Sequence, residues 1–467
     1  MLALCACSCV SLPCAATDPF QTDTLTAPKP GAVWKGDPAF EPAMPQPLRP
    51  KLPDGPLSLA ELTDLALLTN PASREAWSAA RAEAAAYGVA QSAYLPSLDA
   101  ALDATWGKTS STSSSSDTSR SRTRLTPGIG LGYTLFDFGA RAATEQAARY
   151  GLLAANLGQN RTLQDIVLRV ELAYYQLFGA TQLIDAARAS LDTAQASFDA
   201  ASAKRAAGLA TIGEVYQAET ALAQARLQLH RAQGVAGKFK GELASAAGLP
   251  VATVLNLVPP PQQPPAQEVK QTVERRLAQA RLTRPDLVAA EASARAARAR
   301  VDAAAAQDKP TVALAADIGT TYSSDSANNG GRSHSVGINV RIPLYNGHRT
   351  EYAVREAQAR AGQQQAARER LAQQVELEVW QAYFDLETAA TAIDSAGALL
   401  KSASQSREVA QARYQSGVGT LLDLLSAQSA EAGARVESIQ AGLDWYSALS
   451  RLNNAIGVFS SSQQSAS

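Results

Sequence analysis

The sequence has no cysteine beyond residue 14: Cys5, Cys7, Cys9 and Cys14 are all that 467 residues contain. They lie in the apolar run Met1 to Ala16, which resembles the core and exit region of a secretory signal peptide. No charged segment precedes that run, and the first basic residue is Lys29. Residues 1–16 are expected to be a cleaved signal; lipid attachment is the second option, for which no cysteine has the usual apolar lead-in. Removal near Ala16 leaves no thiol, which excludes disulfides and thiolate metal sites. Histidine is scarce too: His230, His334 and His348 are too scattered for a zinc site or a catalytic triad. After the signal no stretch reaches about 18 apolar residues, so no transmembrane helix is expected. A chain of this kind meets a membrane through strands, lipid or a partner. Neither sign of charge dominates, with 42 basic and 43 acidic residues. That balance speaks against a nucleic-acid partner and against an acidic solvating tail.

What is abundant is Ala, Gln, Arg and Glu, while aromatics make up only 6%. Such a composition suits long helices packed through small side chains. The chain also repeats itself. Asn70-Pro71 and Tyr94-Leu95-Pro96 find counterparts in Arg284-Pro285 and Pro310, Gly139 and Arg141 in Gly347 and Arg349, and Gly208 and Gly248 in Gly417 and Gly457. Two structurally equivalent units follow, 57–248 and 271–459, joined by a Pro-rich linker over 249–270. A Pro-rich extended segment, 17–56, precedes them, and 460–467 reads as a disordered tail. Each unit predicts a first helix (about Leu59 to Tyr94, and Gln271 to Gln307), two strands, a long helix and a returning helix of about 40 residues. The long helix carries heptads at Leu163, Val170, Leu177, Ile184, Leu191 and Phe198, echoed by Val379, Leu386, Ile393 and Leu400. Sustained heptads mean side-by-side helices in a coiled coil, although an ordinary antiparallel bundle has the same periodicity.

The strands carry the functional signal. Leu98, Ala100, Leu102, Ala104 and Trp106 share one face; so do Leu125, Ile129, Leu131, Tyr133 and Leu135; so do Val312, Leu314, Ala316, Ile318 and Tyr322; so do Val336, Ile338, Val340, Ile342 and Leu344. The opposite faces are small or polar. Strands of about ten residues with a wholly apolar face are the pattern of a membrane barrel, apolar towards lipid and polar towards a lumen. A soluble sandwich is the competing reading, but no second sheet is predicted to cover the apolar faces. Lys108 to Thr123 and Ser323 to Arg332 read as polar extracellular loops. Four strands cannot close a barrel, so the barrel must be shared between copies. Asp137-Phe138-Gly139 spells a kinase metal motif without the accompanying loops, and the alternating Gly128, Gly130 and Gly132 are lumen-facing rather than a phosphate cradle. No catalytic, cofactor or metal site is expected.

Together with Gly-Leu-Ala-Thr at 208–211 and Gly-Val-Gly-Thr at 417–420, this arrangement resembles the TolC family of outer-membrane efflux proteins over roughly residues 57 to 459. The resemblance implies a mainly α fold with membrane β. In it a homotrimer forms a twelve-stranded β-barrel, four strands per chain, continued by a long periplasmic α-helical coiled-coil barrel. It also implies docking onto an inner-membrane ABC transporter, or another pump, through a periplasmic adaptor. The stretch from Asn70 to Pro96 resembles the CyaE-type branch, which exports an RTX adenylate-cyclase toxin in type I secretion. The first functional expectation is therefore an exit duct for a secreted protein. The alternatives are a multidrug or metal efflux component and, from another class, a periplasmic coiled-coil adaptor. By the same resemblance Gly208, Leu209, Thr211, Gly417, Val418 and Thr420 are tips that contact the adaptor, though a helix reversal alone also favours such a glycine. Asp423 falls where the family narrows its entrance with carboxylates, and Glu214 is its counterpart; a solvated helix face is the plain alternative for both. Ser426 stands where the family has a second carboxylate, Gly419 where it has a gate-locking Arg, and Tyr414 matches a tyrosine of that lock.

Overall fold

A computed structural model of the chain describes residues 55–113, 116–260, 272–324 and 331–458. The expected signal peptide, nearly all of the 17–56 segment, about half of the linker and the expected tail lie outside the described residues.

The expected first helix is two helices in each repeat. α1 (Leu59–Thr69) and α2 (Pro71–Ser92) meet at Asn70, and α5 (Val273–Thr283) and α6 (Pro285–Ala305) meet at Arg284. The residue before a proline is disfavoured in the helical region. Both take extended backbone, Asn70 at φ −66°, ψ 128° and Arg284 at φ −71°, ψ 117°. The proline then fills the first position of the next helix, where no N–H is missed. Four strands follow in pairs: β1 (Ser97–Ser113) and β2 (Ser116–Phe136), then β3 (Thr311–Ser323) and β4 (Gly331–Arg341). Long helices α3 (Ala140–Ala206) and α7 (Arg349–Gln415) have 67 residues each, and the returning helices α4 (Ile212–Ala246) and α8 (Leu421–Ala455) have 35 each. At 1.5 Å per residue, the long helices each span about 100 Å.

The strands form one antiparallel sheet in the order β1-β2-β3-β4, so the hairpin of the second repeat extends that of the first. Its register puts the apolar faces in line. Ala100, Ile129, Ile318 and His334 share a row, and Leu98 pairs with Leu131 and Leu131 with Ala316. The other face places Asp99, Gly130, Asp317 and Ser335 in one row. Here the structure corrects the reading of 108–123 as a loop. The described residues 108–113 and 116–123 are strand, paired from Lys108↔Ser121 out to Ser113↔Ser116. Ser and Thr read as loop by composition, yet threonine is among the residues favoured in strands. β4 in turn ends at Arg341, leaving Ile342 and Leu344 beyond it.

Where strand becomes helix, the three residues resembling a kinase motif act as a cap. Gly139, at φ +95°, opens α3, and Asp137 accepts from the Arg141 N–H at 2.8 Å and pairs with its guanidinium at 2.9 Å. That guanidinium also donates to the carbonyls of Thr134 (2.7 Å) and Ala93 (3.2 Å), joining the end of β2 to the end of α2.

The helices pack in layers set by their heptads. Val170 and Leu177 are buried, with Leu163, Ile184, Leu191 and Phe198 half-buried in the same column. A second column is alanine: Ala173, Ala180, Ala194 and Ala201 on α3, and Ala382, Ala389, Ala396 and Ala403 on α7, are all buried. Large and small layers alternate, so each large side chain fills space opposite a short one. One core cluster gathers α1, α3 and α4 around Leu62, Ile166, Val170 and Leu243. Its counterpart gathers α5, α7 and α8 around Val375, Val379, Leu386 and Leu452. The linker starts tied down, since Leu57 exchanges backbone hydrogen bonds with Asn256 and Val258, and the Tyr174 hydroxyl donates to the Val258 carbonyl.

The proline junctions are clasped by the ends of the returning helices. In the first repeat Thr69 and Asn70 donate side-chain hydrogen bonds to the carbonyls of Ala247 (2.6 Å) and Ala246 (2.9 Å). In the second, Thr283 donates to Ile456, and Arg284 to Ala455 at 3.1 Å. Gly248 and Gly457 make this approach possible. At φ +69° and +76° they sit where L side chains are strained, and a Cβ on Gly248 would lie 2.6 Å from the Asn70 Cα. Arg284, only 2% exposed, is held by Asp286 at 2.5 Å and Glu378 at 2.6 Å, and Arg161 of α3 reaches both Asp286 and Asn454. Burial pushes the Asp286 carboxyl up, but the hydrogen bonds and charge of Arg284 outweigh it and hold the group below its ordinary value.

Two outcomes are expected. Gly248→Ala combines left-handed strain with a backbone clash and should cost roughly 3 kcal/mol, read as a lower midpoint of thermal unfolding by circular dichroism; an unchanged midpoint would contradict the clasp. A depressed carboxyl stabilises fully above its unfolded pKa, near 4, and that contribution is lost as pH falls through the folded value. Acid below about pH 4 should therefore weaken the second clasp, and Asp286→Asn should remove about 3 kcal/mol already at neutral pH, flattening that acid limb of a stability–pH curve.

Candidate functional site: the paired helical tips

At the end remote from the sheet, each long helix stops and restarts within five residues. α3 ends in a turn in which Gly208, at φ +75°, donates to the Arg205 carbonyl and Leu209 to the Lys204 carbonyl, each at 2.8 Å. This is the glycine-dependent C-cap that satisfies the last carbonyls of a helix. Thr211 then caps α4. Its hydroxyl accepts from the Glu214 N–H at 3.3 Å, and the Glu214 carboxylate accepts from the Thr211 N–H at 3.3 Å. The second tip repeats the design. Gly417 sits at φ +77°, Val418 and Gly419 both donate to the Arg413 carbonyl (3.0 and 2.9 Å), and Thr420 and Asp423 form the reciprocal cap. The Gly-x-x-Thr spacing is thus a stop signal followed by a start signal.

The structure brings the sequence-predicted residues into one place. Tyr414, Leu421 and Leu424 of the second hairpin pack against Ala201 and Ala218 of the first. Tyr414 is buried, and its hydroxyl has no hydrogen-bond partner among the described residues. Burial raises its pKa, and the Glu214 charge adds to that. Asp423 is fully exposed and lies below the ordinary carboxylate range, chiefly through the hydrogen bonds with Thr420. Both carboxylates are turned back onto their own helix N-termini. Ser426 lies exposed one turn further along α8. A side chain at Gly419 would be crowded, because a Cβ there would lie 3.0 Å from the Arg413 Cβ and 3.2 Å from the Tyr414 backbone nitrogen.

One contributor was not singled out from sequence. Lys204 of α3 donates to the Tyr414 carbonyl at 2.9 Å and holds its ammonium 3.7 Å from the centre of the Tyr414 ring. It therefore neutralises the negative end of α7 and makes a cation–π contact at once. The signal available in sequence was a lysine in the last turn of a long helix, which is too common to single out. Around this knot the tips expose apolar side chains in the single chain: Leu209, Ile212, Tyr216, Val418 and Leu422.

The profile described as "Outer membrane efflux protein" matches residues 62–249 and again 277–458, one match per structural repeat. The chain belongs to this family. It is 33% identical over 411 residues to protein CyaE of Bordetella pertussis, covering 85% of this chain and 84% of that protein. It is 28% identical over 376 residues to outer membrane protein OprJ of Pseudomonas aeruginosa, with 79% and 78% covered. A solved membrane protein from Pseudomonas aeruginosa superimposes with a TM-score of 0.77 at 27% identity, over 85% of this chain and 93% of its own. The fold is TolC-like, and members of the family are outer-membrane channels with a periplasmic helical part; such channels are not enzymes. They are trimeric and work with inner-membrane pumps and adaptors. The sheet therefore lies in the outer membrane and the helices in the periplasm. The reading as a periplasmic adaptor falls with that placement.

Lys204→Met removes both contacts to Tyr414 and should loosen the knot by on the order of 1–2 kcal/mol. Amide exchange over 201–218 and 410–425 should then quicken about tenfold, with Lys204→Arg largely retaining protection. Unchanged exchange would show that the two hairpins hold together without it.

Proposed function

We propose that three copies of this chain form the outer-membrane exit duct of a type I secretion system, passive towards a secreted protein such as an RTX toxin. The carrying observation is the sheet: four strands, an apolar face exposed in the single chain, and unpaired edges on β1 and β4. Three such sheets joined edge to edge give twelve strands, wide enough for a lumen. The secretion branch is favoured by the 33% identity to CyaE over most of both chains. Multidrug or metal efflux is the second reading, supported by the lower identity to OprJ.

The tips are the parts that meet a periplasmic adaptor and, beyond it, an inner-membrane ABC transporter. Exposed apolar groups on Leu209 and Val418, set on rigid turns by Gly208, Thr211, Gly417 and Thr420, suit such docking. Asp423, Glu214, Tyr414 and Ser426 lie at the entrance in this reading, where threefold symmetry makes rings of carboxylates that attract cations.

Detergent extraction should yield a trimer that conducts ions in a planar bilayer, and Asp423→Ala should enlarge the conductance while weakening block by divalent cations. A monomer recovered from the soluble periplasm would sink the duct. Deleting the gene should abolish secretion of a protein while leaving drug and metal susceptibility unchanged; the reverse pattern selects efflux.

A further inference from the structure

Negative charge on the sheet is sorted by face. From its base up to the level of Lys108, the outward face carries three ionisable side chains apart from tyrosine among the described residues: Lys108, Arg332 and His334. All three are exposed; Lys108 lies beyond the last aliphatic residue of β1, whereas Arg332 shares the row of Leu102, and His334 that of Ile129 and Ile318. Over the same height the described carboxylates Asp99, Asp103 and Asp317 are all on the inward face, where Arg122, Arg124 and Arg341 also lie, so the outward face alone carries cations without carboxylates. Trp106 lies on the outward face just below Lys108, and Tyr322 one outward row beyond that of Arg332, 70% and 53% exposed. The helices leave from the other end of the sheet, so the basic groups stand at the outer-leaflet surface.

These groups are on edge strands, which decides their neighbours. β1 begins at Ser97, in the row of Gly337, whereas β4 runs four residues further towards the base, to Arg341. Rows therefore climb from β1 to β4. With strands tilted by about 45° and spaced about 4.8 Å apart, the climb over four strands is about 19 Å, or about six residues. An even shift keeps the apolar faces aligned. The row of Arg332 (Leu102 on its own chain) then meets β1 of the next copy at the partner subunit's Lys108. Two cations directly opposite across a strand pair repel, and a bound anion between them reverses the sign.

Resting on the trimer proposed above, we infer that the outer rim of each seam binds a phosphate-bearing lipid headgroup. Arg332 of one chain and the partner subunit's Lys108 hold the phosphate, and the aromatic rings lie along the acyl chains. The planar guanidinium can take phosphate through two parallel hydrogen bonds, and surface potential favours each added cation. Three equivalent sites per assembly follow.

The test uses the detergent-purified protein and native mass spectrometry. It is offered lipid A, lipid A stripped of its phosphates, and inorganic phosphate. Up to three lipid A molecules should be retained per trimer, the stripped lipid should not be, and inorganic phosphate at equal concentration should not displace them. Lys108→Gln with Arg332→Gln should weaken retention on the order of 30-fold, with the trimer mass and conductance unchanged. Equal retention of the stripped lipid, displacement by inorganic phosphate, or undiminished binding by the double variant overturns the site. The lipid comparison needs only the unaltered chain, so it stands whether or not the variant assembles. A monomeric mass before lipid is added overturns the assembly, and the seam with it.

Discussion

Everything above the helices depends on backbone groups that have no partner within the chain. β1 and β4 each present an unpaired edge, and in hydrocarbon every unsatisfied N–H or C=O costs several kcal/mol. The outward face adds a second demand, because Leu98, Leu102, Val336 and Ile338 are all at least 66% exposed in the single chain. Lipid satisfies the face, and only another copy of the same sheet satisfies both edges at once. Association is thus a condition of membrane insertion and not an addition to it. The helices inherit the consequence, because any rotation axis that closes the barrel also arranges the six hairpins of three chains around it.

The duplication shows how one local problem was solved twice with different chemistry. Each repeat must dock a helix C-terminus against a proline junction, and each does so through a left-handed glycine and a threonine hydroxyl. The next position differs. Asn70 uses a neutral amide and remains within its repeat, whereas Arg284 brings a buried charge that must be paired. Its partners draw in Arg161 from α3, so the ionic version also ties the first repeat to the second. A buried pair contributes little net stability when complete and costs much when broken. Its distinctive contribution is to fix which helices meet.

Much of this was legible in the sequence, because the periodicities are long and repeated. The heptads of α3 and α7, the alternation of the strands and the doubled Gly-x-x-Thr each report a local rule that tertiary structure leaves intact. What was not legible has specific causes. Serine and threonine between residues 108 and 123 suggested a loop, since composition alone does not distinguish a polar strand from an irregular segment. Pro71 and Pro285 lay inside an apparently continuous helical pattern, and the break appears only when the preceding residue is treated as a cap. Lys204 acts on Tyr414 across 210 residues of chain, and no local pattern reports such a contact. The residues proposed for the entrance were picked by position in the family pattern, and their hydrogen bonding was not implied by it.

That hydrogen bonding bears on what the tips can sense. A carboxylate that accepts from its own N-cap loses proton affinity, because protonation would remove the charge that the helix N-terminus stabilises. Asp423 has this arrangement, and the hydrogen bonds with Thr420 hold its carboxyl below the ordinary value. In the proposed entrance ring, bound cations or movement of the turn would change that charge more readily than protonation does. Because the Asp423 carboxylate caps α8 through Thr420, a cation that drew it away would also weaken the start of that helix. Under the proposed entrance role, ion occupancy and the local order of the tip are therefore coupled through a single side chain.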